Sequence, residues 1–468
     1  MGQEKDRPPL QRRDLALGKV FPRHPRMTAE QLFSVLSGAV WGPPTLVFFL
    51  LVSFYLTFRL GLPQIRSFRR ACVAAFSVEP GQADQGGEIS PWRSFLTMLA
   101  GAIGSGNIAG VATAIATGGP GAVFWMWIAG GLSMALKFTE ALLGFHFRVK
   151  DPDGRYSAGP MYYLRDGLRW PFLAAVFALV AGLAAASTGP MVQSNTISTV
   201  LESEFSVPRW VSAASLFVAV FLVVIGGLKR IAAWAEKLVP LKLLLYVGGS
   251  LLVFVFFLDR LPATLLLIFQ AAFSPQAALG GFAGAGVWQA MRFGLARGVY
   301  ANEAGLGTAA YLYGVSQSRL PVRQGLIAML DCFVITFITC TTTAMVITVS
   351  GVWSSGLRGA PLVASGFHAA LPGWGGWIVA VSCTLFAYTN LIGWSYYGEK
   401  SFEFLLGRKV ALPYRWAYCL IVPVGAISTI DLVWLYGDFL NGLQALFNLV
   451  AVILLAGEAV SLFKNEIK

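Results

Sequence analysis

Four polar side chains sit inside long apolar stretches of this sequence, where no water is close at hand: Gln193, Thr389, Asn390 and the indole of Trp394. Asn390 and Trp394 are four residues apart and share a helical face. An amide and an indole on one face can wall a small amphipathic solute, with Trp394 as lid and Asn390 as hydrogen-bonding partner. They can equally be an ordinary packing pair, with Asn390 bonded to a neighbouring helix. Backbone chemistry is offered by Gly101-Ala102-Ile103-Gly104-Ser105-Gly106-Asn107. Three glycines and an asparagine make poor helix, and an interruption would free N–H groups for an anionic carboxylate and carbonyls for a cation. A glycine-faced helix contact is the competing reading, but these glycines spread over more than one face.

Ionisable residues inside apolar stretches are few. Lys137 and Glu140 are three residues apart on one helical face and read as a mutually neutralising pair. Asp331 lies a turn or two into its apolar stretch, within reach of water. Glu303, in Asn302-Glu303-Ala304-Gly305-Leu306-Gly307, is either a gate or part of a helix cap. Enzymatic constellations are missing: Gly104-Ser105-Gly106 has neither the strand context nor the paired base of a nucleophile elbow. No Walker A loop is present. The five cysteines form no CxxC pair and the three histidines are scattered, so no cofactor or structural metal is expected.

The elements that must position these residues are membrane helices. Of 468 residues, 56% are hydrophobic and 12% charged, which excludes two or three soluble domains. A bilayer core about 30 Å thick needs roughly 20 apolar residues per helix. That ruler predicts eleven spans, near 38–58, 94–118, 121–147, 172–200, 209–228, 239–258, 278–297, 325–350, 374–397, 414–430 and 436–462. Residues 259–277 hold an apolar stretch too short to span, read as interfacial or re-entrant. The net charge of +12 is no nucleic-acid footprint; basic residues alternate between loops and place the C-terminus, with residues 463–468, in the cytoplasm. Eleven spans then put the N-terminus outside. The tail of residues 1–37 conflicts with that placement, because residues 1–26 hold seven basic and three acidic residues. A start at Met27 would remove the conflict, making residues 1–26 non-native.

A second glycine-rich stretch, Gly280-Gly281-Phe282-Ala283-Gly284-Ala285-Gly286, opens the seventh span. It lies five spans after the first, so the two helices cross in opposite directions. Residues 94–258 and 278–462 read as inverted repeats of five helices, preceded by one extra helix at 38–58. Each repeat opens with an interrupted helix, the pattern of a secondary transporter with its site at the midplane. Gly284 and Gly286 join the candidate site on that basis.

The sequence resembles the alanine-or-glycine:cation symporter family of bacteria and archaea. The likeness runs from about Trp41 to Glu458 and is carried by Gly104-Ser105-Gly106-Asn107-Ile108-Ala109-Gly110, Gly118-Gly119-Pro120-Gly121, Gly159-Pro160-Met161-Tyr162-Tyr163, Met191-Val192-Gln193-Ser194-Asn195, Asn302-Glu303-Ala304-Gly305-Leu306-Gly307 and Gly393-Trp394-Ser395-Tyr396-Tyr397-Gly398-Glu399. The resemblance implies an all-α, leucine-transporter-like five-plus-five inverted repeat in the cell membrane. It also implies sodium-coupled symport of a small neutral amino acid, without an obligate protein partner. On that likeness Gly104 to Asn107 would cradle the substrate's carboxylate and amino group, Gln193 would contact it, and Trp394 would keep its pocket small. Sodium would lie among the Ala100 and Ile103 carbonyls, Thr389 and Asn390. Lys137, Glu140, Glu303 and Asp331 remain as gating or coupling candidates. Proton coupling through Asp331 or Glu140, and a non-transporting sensor, are the alternatives. The chain departs from the family at Ser105 and Asn390, both usually Thr, at Pro190, usually Asn, and at Ile335, usually Asp, with Asp331 one turn earlier.

Overall fold

A computed structural model describes residues 28–77, 86–151, 154–273, 283–428 and 430–467. The basic tail up to residue 27 lies outside them, as do residues 280–282 of the second glycine-rich stretch. The chain starts with α1 (Ala29–Val40), whose first turn is closed by a reciprocal bond pair between Thr28 and Gln31. Gly42 and Pro43 turn the chain into α2 (Pro43–Arg59). Two short helices, α3 (Pro63–Arg66) and α4 (Phe68–Phe76), follow. They bury Ala71, Ala74 and Ala75 while Arg69 and Arg70 stay exposed, as expected of a helix lying along an interface.

The first interrupted helix is α5 (Pro91–Ala102), a tight 3₁₀ turn at Ser105–Asn107, and α6 (Ala109–Gly118). Its two halves meet at 68°. The long α7 (Gly121–His146) follows, then a short β1–β2 hairpin (Val149–Lys150 with Tyr156–Ser157) and α8 (Pro160–Tyr162). Next come α9 (Pro171–Ser187) and α10 (Ser194–Phe205), joined by a wide π turn at Thr188–Gln193. Pro190 sits in that turn; lacking an N–H, it cannot keep the regular ladder. The helices α11 (Arg209–Val224), α12 (Gly227–Phe256) and α13 (Leu261–Phe273) close the first half.

In the second half α14 (Ala283–Asn302) and α15 (Thr308–Gly314) flank an interruption at 303–307. They are followed by α16 (Pro321–Phe333) and α17 (Thr341–Val349), linked by a second π stretch at Val334–Cys340. Then come α18 (Gly359–Ala370), α19 (Gly375–Leu406), α20 (Ala411–Ile427), α21 (Ile430–Leu454) and α22 (Ala456–Ile467). Helices α5, α7, α14, α16 and α19 form the packed centre, while α2, α11, α12 and α20 carry exposed Leu, Val, Phe and Trp side chains outward. Such an apolar exterior suits lipid.

Among the described residues eight helices are long and apolar enough to cross a membrane, and the bent α5–α6 pair makes a ninth. The difference from the expected eleven has a physical cause. The helix Arg209–Val224 has only 16 residues. The helix Ala283–Asn302 carries Gln289, Arg292, Arg297 and Asn302, too polar for the ruler used.

Candidate functional site

Glycine chemistry sets the centre of the molecule. A Cβ on Gly393 would lie 2.7 Å from the Gly101 Cα, so α5 and α19 touch backbone to backbone. A Cβ on Gly104 would lie 2.7 Å from Nδ2 of Asn390. The stretch 101–107 therefore does both things considered for it: Gly101 packs a helix, and Gly104 to Asn107 leave the helix.

The freed backbone is satisfied by side chains, as a membrane interior demands. In the first break the Gly104 N–H donates to Asn107 Oδ1 at 3.0 Å. The Ser105 N–H and hydroxyl both donate to Gln193 Oε1, at 3.3 and 3.0 Å. Thr343 of α17 donates to the Asn107 carbonyl at 2.9 Å. The second break lies at Glu303 to Gly307, where Glu303, Gly305 and Gly307 have φ of +58°, +90° and +79°. There Glu140 of α7 accepts the N–H groups of Gly305 and Gly307 at 2.8 and 3.3 Å. Asn448 and Gln444 of α21 donate to the carbonyls of Gly305 and Leu306, both at 2.8 Å.

A cavity of about 20 Å³ lies between the two breaks. Its walls include Gly104, Gly106, Asn107, Gln193, Tyr300, Glu303, Asn390, Trp394 and Asn441. The Trp394 indole donates to Glu303 Oε1 at 2.9 Å, tying α19 to the second break. Asn390 donates to the Gly101 carbonyl, which fixes the direction of its amide. Asn441 donates to Thr188 Oγ1 at 2.9 Å. The carbonyl oxygens of both amides, Asn390 Oδ1 and Asn441 Oδ1, are buried without a partner. Two orphaned acceptors beside a carboxylate call for a donor-rich cationic group.

Two of the residues expected to hold sodium share a side-chain partner. The Lys242 side chain of α12, fully buried, places Nζ 2.8 Å from the Ile103 carbonyl, 2.6 Å from Thr389 Oγ1 and 3.3 Å from the Leu99 carbonyl. Its ammonium thus bonds two of the four expected ligands, Ile103 and Thr389. Ala100 is buried beside them, and Asn390 turns toward Gly101 and the cavity.

Other expectations need correction. Lys137 does not pair with Glu140: its ammonium reaches Asp331 Oδ1 at 2.8 Å and the Asn302 carbonyl at 2.6 Å. Glu140 is engaged by the second break instead. Asp331 is fully buried and accepts from the Tyr313 hydroxyl at 2.6 Å, so it does not face water. Its carboxylate reaches across to α7 because α7 and α16 pack side by side. Glu303 caps no helix through its side chain; it sits inside the break. Gly284 and Gly286 belong to the first turn of α14, which runs on without interruption to Asn302. The cavity meets the opposite end of that helix, at Tyr300 and Ala301, about 24 Å along an α-helical rise.

Sequence reasoning passed over Asn441, Tyr300 and Lys242. Lys242 had a legible signal, a lone ammonium in an apolar run between Pro240 and Tyr246. Asn441 had the same signal as Asn390, an amide inside the apolar run 436–462; Tyr300 had none, since only tertiary packing brings it to the cavity.

A model of the sodium:alanine symporter family matches residues 26–466. An uncharacterized transporter of Haemophilus influenzae is 41% identical over 91% of this chain and 94% of its own length. The sodium/alanine symporter AgcS of Methanococcus maripaludis is 38% identical over 94% and 98%. The probable sodium/glutamine symporter GlnT of Bacillus subtilis is 34% identical over 93% and 90%. Among solved structures, a manganese transporter of Eremococcus coleocola superposes with a TM-score of 0.52 at 14% identity, covering 79% of this chain and 80% of that one. The fold is that of leucine-transporter-like membrane carriers.

Proposed function

The chain belongs to the sodium:alanine symporter family, and on that premise we propose that it carries a small neutral amino acid across the membrane by alternating access. The observation that carries this reading is the cavity between the two helix breaks. It is lined by Trp394 and presents Asn390 Oδ1 and Asn441 Oδ1 without partners beside the Glu303 carboxylate. An α-ammonium group supplies three donors in one compact cation. The amino group would meet those oxygens, and the carboxylate would meet the backbone of Gly104 to Asn107 and the Ser105–Gln193 pair.

Residues 94–258 and 278–462 act in this reading as the inverted repeats. Their interrupted helices, α5–α6 and α14–α15, meet at the site, and rocking of one repeat against the other exposes it to each side in turn. The relatives' names differ in substrate, alanine for one and glutamine for another, so membership alone does not pick the solute. The bulky Trp394 and Tyr300 side chains that line the cavity favour a small solute, alanine, glycine or serine. Sodium is the family's coupling ion; proton coupling is the second reading, favoured here by the ammonium of Lys242 on the oxygens expected to hold the ion.

The test is uptake of labelled alanine, glycine, serine and glutamine into proteoliposomes holding the purified protein, under imposed sodium and proton gradients. Accumulation of a small neutral amino acid, with glutamine excluded, supports the proposal. Failure to move any of the four overturns it.

A further inference from the structure

The short helices that follow α2 border a groove that the candidate site does not use. It lies among α4, the start of α16 and the end of α22, and has an open volume of about 600 Å³. Among the described residues four arginines line it, Arg66, Arg69, Arg70 and Arg323, against one carboxylate, Glu466. Glu466 already accepts the Val322 N–H at 3.2 Å. Arg323 is buried and donates to the Ala74 carbonyl at 3.0 Å and to the Ser77 carbonyl, so it fixes the end of α4. Arg66, Arg69 and Arg70 are exposed, and among the described residues no carboxylate pairs with them.

Apolar side chains are exposed next to these charges. On α4, Arg69, Val73 and Phe76 are spaced i, i+4 and i+7 and share the outward face, while Ala71, Ala74 and Ala75 are buried. Val73 is 59% exposed, Phe76 70%, and Leu320, just before α16, 48%. The groove also lies at the edge of the apolar spans. The helix α2 turns Leu51, Phe54 and Phe58 outward and ends at Arg59, and the apolar run of α16 starts at Pro321. Arginines where one span ends and another begins mark the headgroup layer of a bilayer.

We propose that this groove binds an anionic phospholipid, its phosphodiester held by Arg66, Arg69 and Arg70 and its acyl chains laid along Val73 and Leu320. A guanidinium offers paired N–H donors that match phosphate oxygens. A soluble anion would use the arginines and leave the exposed apolar side chains in water. A zwitterionic lipid would bring a cation to a groove that is already positive. The helix α4 is placed to transmit occupancy. Its Phe68 ring lies 4.9 Å from that of Phe333 of α16, and its Phe76 ring lies 5.2 Å from that of Trp92 of α5. A lipid seated here holds α4 against both helices and stabilises the fold. The inference is independent of which solute or ion the chain carries.

The experiment follows thermal unfolding of the purified protein in uncharged detergent during titration with dioleoyl phosphatidylglycerol, dioleoyl phosphatidylcholine or glycerol phosphate. Native mass spectra count the lipids retained. The melting temperature of the wild type is expected to rise saturably with phosphatidylglycerol and to stay level with the other two. Arg69→Gln combined with Arg70→Gln should raise the half-saturating phosphatidylglycerol concentration by about tenfold or more, each basic contact to an anionic headgroup contributing about fivefold. Arg66→Gln, a single exposed change, should shift it by about fivefold and decides the matter if the double variant does not fold. As a control, Lys229→Gln with Lys409→Gln removes the same charge from two exposed lysines that line a different cavity, and should leave the response as in the wild type. Equal stabilisation by phosphatidylcholine, or a control that weakens the response as much as the arginine variants, overturns the proposal. Equal stabilisation by glycerol phosphate also overturns it, making the groove a site for a free anion.

Discussion

The indole of Trp394 donates to Glu303 Oε1 at 2.9 Å, joining the middle of α19 to the interruption between α14 and α15. The two residues are 91 positions apart in the chain, and both are buried at the cavity wall. This bond makes Trp394 more than a lid. It holds a buried carboxylate whose charge has no direct salt-bridge partner among the described residues.

Replacing Trp394 by Phe removes the donor and keeps most of the aromatic volume. A hydrogen bond to a charged group is worth about 1.5–3 kcal/mol, so the variant is expected to melt lower and to bind its substrate about tenfold more weakly. Thermal unfolding in detergent and the concentration dependence of uptake measure the two effects. Unchanged values for both would reduce Trp394 to filling space.

The Lys137–Asp331 pair offers a cleaner energetic test. Both side chains are fully buried and their charged atoms are 2.8 Å apart. Removing one partner of a buried pair leaves an uncompensated charge and costs about 3–5 kcal/mol, whereas replacing both with apolar residues is often neutral. Asp331→Asn and Lys137→Met should each lower the folded yield and melting temperature sharply. The double variant Lys137→Met with Asp331→Leu should recover most of the loss. A double variant as unstable as the singles would mean that the Asn302 carbonyl and Tyr313, rather than the partner charge, set the stability of these residues.

These two cases show how far the sequence can be read. The interrupted helix at Gly104 to Asn107 was legible because glycines and an asparagine in an apolar run have few alternatives, and Gln193 was legible as an amide with no water near it. The partner of a buried charge was not. Lys137 and Glu140 share a helical face, and spacing alone favours pairing them. Yet α16 packs against α7 and supplies Asp331, and the second break supplies amides that claim Glu140. The position of that break was missed for a related reason. Gly280 to Gly286 hold more glycine, but the turn at 303–307 is imposed by φ values that Gly305 and Gly307 tolerate and by Glu140, Gln444 and Asn448, which hold its freed backbone.

A pH prediction follows from Glu88, in the loop before α5. Burial pushes its carboxyl above the ordinary value of 4.5, against the pull of Lys400 and Arg155, and Glu88 Oε1 is buried without a partner. With the folded value raised, the folded state holds a proton that the unfolded chain has released. Stability from this group is therefore full below about pH 4.5 and falls as pH rises through the raised value. Glu88→Gln fixes the neutral form. It should melt higher than the wild type at pH 7, by about 1–2 °C for a chain this long, with the difference vanishing near pH 4. Melting curves across that range decide the sign, and a variant that melts lower at pH 7 would show that attraction to Lys400 and Arg155 outweighs burial.

A close approach at the candidate site gives the most specific prediction. Gly104 faces Asn390 so tightly that an added Cβ would sit 2.7 Å from Nδ2 and 2.9 Å from Cγ of that residue. Gly104→Ala must push the amide away from the Gly101 carbonyl, which Asn390 now holds. Overpacking of this kind costs about 1–3 kcal/mol, and here the strain falls on a cavity wall. The variant is expected to fold with a modest loss of melting temperature and to lose most of its uptake. Shortening the opposing side chain should relieve the clash: Gly104→Ala combined with Asn390→Thr should recover stability relative to Gly104→Ala alone. Asn390→Thr by itself removes the unpartnered Oδ1 and is expected to change substrate preference among alanine, glycine and serine at unchanged expression. Uptake kinetics for the three variants, measured beside their melting temperatures, separate the two roles of Asn390. Altered selectivity in the single variant marks a side chain that touches the solute, while a pure rescue of stability in the double marks one that only packs against Gly104.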